Sequence, residues 1–178
     1  MQLENTKTKE NLMTAFLRES GAAEEYTFYA ERAKQSGYEQ IYNVFTKFAD
    51  NERAHAKIWF KLFHGIDGTE NNLIDAADLE KHERTVMYAD FAKVAKEEGL
   101  VDVAVLFDEV GKFDKQHEQI YRALAQKVKN DTVFTGEQEQ SWQCLNCGHI
   151  HKGLSAPLQC PVCSHPQAYF MVNKEQEL

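Results

Sequence analysis

Seven side chains able to bind metal or move protons interrupt otherwise apolar helical stripes: Glu19, Glu52, His55, Glu80, Glu83, Asp114 and His117. Burying that many carboxylates costs several kcal/mol apiece in effective terms unless cations neutralise them. Metal ions are the economical compensation. Residues three apart share a helix face, so Glu52 with His55, and Asp114 with His117, can each direct an oxygen and a nitrogen at one ion. A lone acid-x-x-His is more often a solvated helix face. Two of them, each set in an apolar stripe and each joined by carboxylates from another stripe, fit the four-helix template of a dinuclear carboxylate centre. Mixed oxygen and nitrogen donors suit iron or manganese better than zinc. Glu80 and Glu83 fall on one inward face, which gives one carboxylate more than that template needs.

A second set of donors lies near the carboxyl end. Cys144-Leu-Asn-Cys147 and Cys160-Pro-Val-Cys163 are separated by twelve residues and use all four cysteines. Such spacing folds two small loops around one tetrahedral ion. On spacing alone the ion is a structural zinc or a mononuclear iron able to carry one electron, zinc being the plainer reading. His149, His151 and His165 are loop residues, because four thiolates already close the shell. Tyr26 and Tyr88 lie near the level of the carboxylates and are able to hydrogen-bond them, although a buried tyrosine is more often a core aromatic. Tyr26 joins the candidate catalytic set on that ground.

The elements that must position these groups are long helices. Four apolar-periodic blocks end at Gly37, Gly65, Gly99 and Lys129-Asn130-Asp131. Their polar interruptions come in mid-course, as in Ile41, Phe45, Phe48, Glu52, His55, Trp59, Leu62 of the second block. Seven residues after Glu19, Glu52, Glu80 and Asp114 stand Tyr26, Trp59, Met87 and Tyr121, so the two halves read as a repeated helix pair. Helices with a single apolar stripe need partners, and a four-helix bundle follows. Proline and cysteine are absent before Cys144, which marks a boundary. Residues 131–143 read as a polar connection with strand character around Val133 and Phe134, followed by a turn-rich module too small to fold without a metal.

Composition narrows the function. A net charge of −8 leaves no cationic surplus for a nucleic-acid backbone or an anionic lipid surface. No apolar run is long enough to span a bilayer, and the amino-terminal residues lack a signal-peptide core, so a cytoplasmic protein is expected. Cysteines paired in this way in a reducing compartment argue for metal over disulfides.

Taken together, these residues resemble the rubrerythrin family over nearly the whole chain. The specific stretches are Arg18-Glu19-Ser20 leading to Tyr26, Asn51 through Lys57, Glu80-Lys-His-Glu83 leading to Met87-Tyr88, and Cys160 through Phe170. The resemblance implies a mainly α fold: a ferritin-like four-helix bundle over residues 1–133, with a small C-terminal rubredoxin-like metal-binding domain over 134–178. It places Glu19, Glu52, Glu80, Glu83, His55 and His117 at iron-ligand positions and gives an iron to Cys144, Cys147, Cys160 and Cys163. It also implies that one iron exchanges Glu83 for His55 when the pair is reduced. The implied activity is that of a non-haem di-iron peroxidase, reducing hydrogen peroxide to water with electrons relayed through the Fe(Cys)4 site from an external rubredoxin or flavin reductase. The competing reading is a ferroxidase, an iron-handling ferritin-like protein whose cysteine module is a zinc ribbon.

Two features depart from the family pattern. Asp114 stands where glutamate is usual, and the link between the second and third helices is short. Residues 65–72 reach at most roughly 25–30 Å when extended, less than a long helix, whereas a ferritin-like bundle makes helices two and three parallel. A homodimer with exchanged helix pairs is therefore expected. Each di-iron site would draw Glu19, Glu52 and His55 from one chain and Glu80, Glu83, Asp114 and His117 from its partner.

Overall fold

The computed structural model describes residues 3–173, and the chain divides into two compact units between Asp67 and Gly68. The first unit is a helical hairpin of α1 (Lys7–Gln35) and α2 (Glu39–Phe63). Thr6 caps α1, its hydroxyl oxygen accepting from the Lys9 amide at 3.2 Å. Gly37, Gly65 and Gly99 all take positive φ, at 79°, 95° and 79°, and each follows a helix end as the sequence predicts.

The second unit begins with α3 (Thr69–His82), passes through a π turn (Glu83–Met87) into α4 (Tyr88–Glu97), and continues as α5 (Val101–Lys129). The third apolar block is thus not one regular helix. At its centre the Tyr88 amide reaches back five residues to the Glu83 carbonyl, which inserts an extra residue into the spiral. Such an insertion keeps the apolar content of the block and leaves no compositional mark.

Both helical units are held together by small residues. The buried apolar positions are Ala23, Ala30 and Ala33 on α1, Ala49 and Ala56 on α2, and Ala77, Ala92, Ala95, Ala104 and Ala125 on α3 to α5. Alanine lets helix backbones approach closely but removes little apolar surface from water. The large stripe residues Ile41, Phe48, Leu62, Phe91, Leu106, Val110 and Leu124 remain exposed.

The remainder of the second unit is a three-stranded antiparallel sheet in the order β2-β1-β3. Its strands are β1 (Thr135–Cys144), β2 (Ile150–Ser155) and β3 (Phe170–Val172). Val133 and Phe134 lie in a turn, and the strand begins after them. Pairing with β2 and β3 runs over Gln140–Cys144, and the register with β2 shifts between Thr135 and Gln140, the stretch that holds the polar Gln138 and Glu139. Trp142, Cys144, Ala156, Cys160 and Phe170 form the small core, and the Trp142 indole donates to the Gly153 carbonyl at 3.1 Å.

Candidate metal centres

Each helical unit assembles one triad of its own. On the hairpin, donor atoms of Glu19, Glu52 and His55 lie within 4.8 Å of one another, and in the second unit those of Glu80, Asp114 and His117 do the same. In the first triad His55 Nδ1 is 3.4 Å from Glu52 Oε2 and 3.7 Å from Glu19 Oε2. Hydrogen bonding to Glu52 raises the pKa of the Glu19 carboxyl, while that of Glu52 is lowered by the same bond. Two carboxylates at one site move each other's titration apart in this way. In the second triad His117 Nδ1 meets Glu80 Oε2 at 3.3 Å.

Asp114 is the one charged side chain that is buried among the described residues, at 6% exposure, and its Oδ2 has no hydrogen-bond partner. A buried carboxylate oxygen left so is costly unless a cation completes it, so the orphaned atom fits a metal ligand. Glu83, at the head of the π turn, lies outside the tight triad. Burial, then the charges of Asp114 and Glu80, raise its pKa. Tyr88 is pushed up by the same causes, burial first and then Asp114, Glu83 and Glu80, and its ring stacks on Phe107 at 5.7 Å. Tyr26 rests against Phe45, with ring centroids 6.1 Å apart. It has no hydrogen bond to Glu19 or Glu52. His64 closes α2 with its amide on the Phe60 carbonyl, as a helix-ending residue.

The four cysteines converge. Cys144 Sγ is 3.7 Å from Cys163 Sγ, and Cys147 Sγ is 3.6 Å from Cys160 Sγ. A tetrahedron of thiolates ~2.3 Å from its centre has edges of about 3.75 Å, whereas a disulfide would need about 2.05 Å. The spacing is therefore that of a metal cage. Two matching loops build it: the Cys144 amide donates to the His149 carbonyl and the Cys160 amide to the His165 carbonyl, each at 2.8 Å. Gly148 and Ser164 occupy equivalent positions with φ of 76° and 59°. The amide of His165 draws the Cys163 thiol down to about 5. At Cys147 the His149 amide acts in the same direction, but Cys163, burial and the other two thiols outweigh it and push the group up to about 12. Of these two thiols, Cys163 loses its proton before Cys147.

A Rubrerythrin family profile matches residues 10–125, and a second, for the rubrerythrin rubredoxin-like domain, matches residues 142–171. The chain belongs to the rubrerythrin family. It is 43% identical to rubrerythrin-1 of Clostridium acetobutylicum, with 97% of each chain covered. Rubrerythrin of Nitratidesulfovibrio vulgaris is 39% identical, covering 94% of this chain and 95% of the relative. That of Porphyromonas gingivalis is 40% identical, covering 94% and 90%. The fold class is accordingly the mainly α, ferritin-like bundle with a rubredoxin-like domain. The protein is an iron-binding oxidoreductase, and the family's cofactors are a di-iron centre and a mononuclear iron on four cysteines. Both donor sets fit those groups, through the orphaned Asp114 oxygen and the thiolate cage. No helix among the described residues is long and apolar enough to cross a membrane.

The grouping of Glu19, Glu52 and His55 apart from Glu80, Asp114 and His117 is the one expected from the repeated helix pair, with Glu83 outside the second triad. Sequence reasoning missed the π turn and the buried Trp59 indole nitrogen, which lacks a hydrogen-bond partner.

Proposed function

We propose that the chain is a hydrogen peroxide reductase. It would consist of a ferritin-like di-iron domain over residues 1–133 and a rubredoxin-like domain over residues 134–178 that passes on electrons from an external donor of the rubredoxin or flavin-reductase type. The observation that carries the reading is the pair of equivalent triads, each with two carboxylates and one imidazole, together with a thiolate cage in the same chain. When bound, a ferrous pair supplies two electrons that, with two protons, convert one hydrogen peroxide to two waters.

The chain's own residues hold and tune that chemistry. Glu19, Glu52 and His55 would present one set of donors and Glu80, Asp114 and His117 the other. Glu83 sits apart from the triad yet feels the charges of Asp114 and Glu80, which suits a carboxylate that changes partners as charge in the site changes. Tyr88, kept in its phenol form by burial and the nearby acids, remains a hydrogen-bond donor at neutral pH. The His165 amide, bonded to the Cys163 sulfur, lowers the charge cost of the thiolate cage.

The two triads belong to an exchanged homodimer, each centre combining the hairpin of one chain with α3 to α5 of its partner. The short link after Gly65 and the exposed apolar stripes support this, since a second copy would cover Ile41, Phe48, Leu106 and Val110. Metal analysis and turnover of Glu52→Ala test the activity. Peroxide reduction should fall by at least ~100-fold, as for a loss of metal ligation, while the red colour of the cysteine-bound iron stays. Undiminished turnover would exclude this centre as the site of reaction.

A further inference from the structure

A cleft of ≈190 Å³ opens between the π turn and α5, and Arg84, Lys112 and Lys115 line it. Tyr88 and the Phe107 ring stacked on it form an apolar wall. The floor is Gly111, a buried glycine in the interior of a long helix, where a Cβ would already touch Arg84 Cγ at 3.6 Å. At 100° per residue, Gly111 lies between Asp114 and Lys115 around the α5 axis, so the cleft and the carboxylate triad flank one ridge.

The charges around the cleft do not all cancel. Asp108 is held by Lys96 at 3.0 Å, and Lys112 pairs with Glu109. Arg84 gives one terminal nitrogen to Glu118 at 3.0 Å, and the other oxygen of Glu118 takes Arg122 at 3.0 Å. Two donors are left over. Arg84 Nε is buried without a partner, and Lys115 has no ion pair among the described residues. A buried guanidinium N–H without an acceptor is an unfavourable state that a bound anion relieves.

We propose that this cleft binds a small oxyanion of the phosphate class, held by Arg84 and Lys115 over Gly111. Guanidinium and ammonium groups are the usual donors to such ions, and the apolar wall strengthens each contact by excluding water. The volume admits an inorganic oxyanion.

Calorimetric titration of the iron-loaded, full-length protein with inorganic phosphate at fixed ionic strength tests the site. One saturable event per chain is expected, weakened by roughly tenfold or more in Lys115→Gln, as for loss of a charged hydrogen bond, and abolished in Gly111→Leu. Lys115→Gln removes no ion pair among the described residues, and unchanged thermal unfolding will confirm that its fold is intact. Phosphate heats that do not saturate, or that are the same in Lys115→Gln, would overturn the proposal; phosphate bound at the iron centre gives that second result. Adenosine monophosphate binding as tightly as inorganic phosphate would also overturn it, in favour of a nucleotide site.

Discussion

His117 Nδ1 stands 3.3 Å from Glu80 Oε2, a contact from α5 to α3, whereas His55 finds Glu52 one turn back on its own helix at 3.4 Å. The two triads have like composition but different wiring. The first is shared by α1 and α2 and the second by α3 and α5, so no triad depends on residues from the other unit.

That division makes the exchanged dimer open to genetic complementation. Glu52→Ala breaks one triad and His117→Ala the other, and each variant alone should be inactive. In an exchanged heterodimer one centre carries both changes and the other carries none, so heterodimers isolated with two tags should recover about half of wild-type turnover. Without exchange, both centres stay broken and the heterodimer is as inactive as its parents.

Glu118 predicts an acid-side dependence of stability. The Arg84 guanidinium, then Arg122, hold its carboxyl below the usual 4.5. A lowered pKa contributes stability that is fully present above the ordinary value and is lost as pH falls through the folded value. Thermal unfolding followed from pH 6 down to pH 3 should show wild type losing its advantage over Glu118→Gln below about pH 4.5. Parallel curves for the two proteins across that range would remove Glu118 from the account.

With iron removed, the thiols should react in a fixed order. Cys163, drawn down to about 5, is a thiolate at pH 7, and Cys147, pushed up to about 12, is a thiol. The thiolate is the nucleophile. Limited alkylation of metal-free protein, read by peptide mass spectrometry, should label Cys163 ahead of Cys147 even though Cys147 is the more exposed of the two. Prior labelling of Cys147 would mean that exposure, not charge state, governs the cage.

Two glycines should respond oppositely to alanine. Gly111 is helical, and an added Cβ meets Arg84 Cγ at an ordinary 3.6 Å. Gly111→Ala should raise stability by about 0.5–1 kcal/mol through helix propensity. Gly99 holds φ at 79° between α4 and α5, and Gly99→Ala should cost about 1–2 kcal/mol. Denaturant unfolding of the two variants measures both signs.

Much of this was legible in the residues. Apolar periodicity with glycine stops located the helix ends, because Gly37, Gly65 and Gly99 do adopt the left-handed conformation that ends a helix. Paired Cys-x-x-Cys spacing located the cage, since two such loops leave the thiols few ways to point. Periodicity could not reveal the π turn, as the inserted residue leaves the apolar pattern nearly intact. Nor could it tell which stripe residues a single chain covers. Phe48 and Leu106 look like core in the sequence, yet alanines take the buried positions, because helix faces are chosen by the partners that reach them. The strand also begins later than Val133 and Phe134 suggest, pairing rather than side-chain propensity having set where β1 starts.

The five-residue turn at Glu83–Met87 sets the rotation between the two halves of this helix. Rewinding it as ordinary α-helix, with no residue removed, would let an unbroken spiral run from Thr69 to Glu97 and swing everything downstream by about 100°. Ala92 and Ala95 would leave the seam against α5, and Tyr88 would turn from Phe107. The straighter rod would satisfy its own backbone better while misaligning its neighbours, so the irregularity is a phase setting that local folding preference alone would erase.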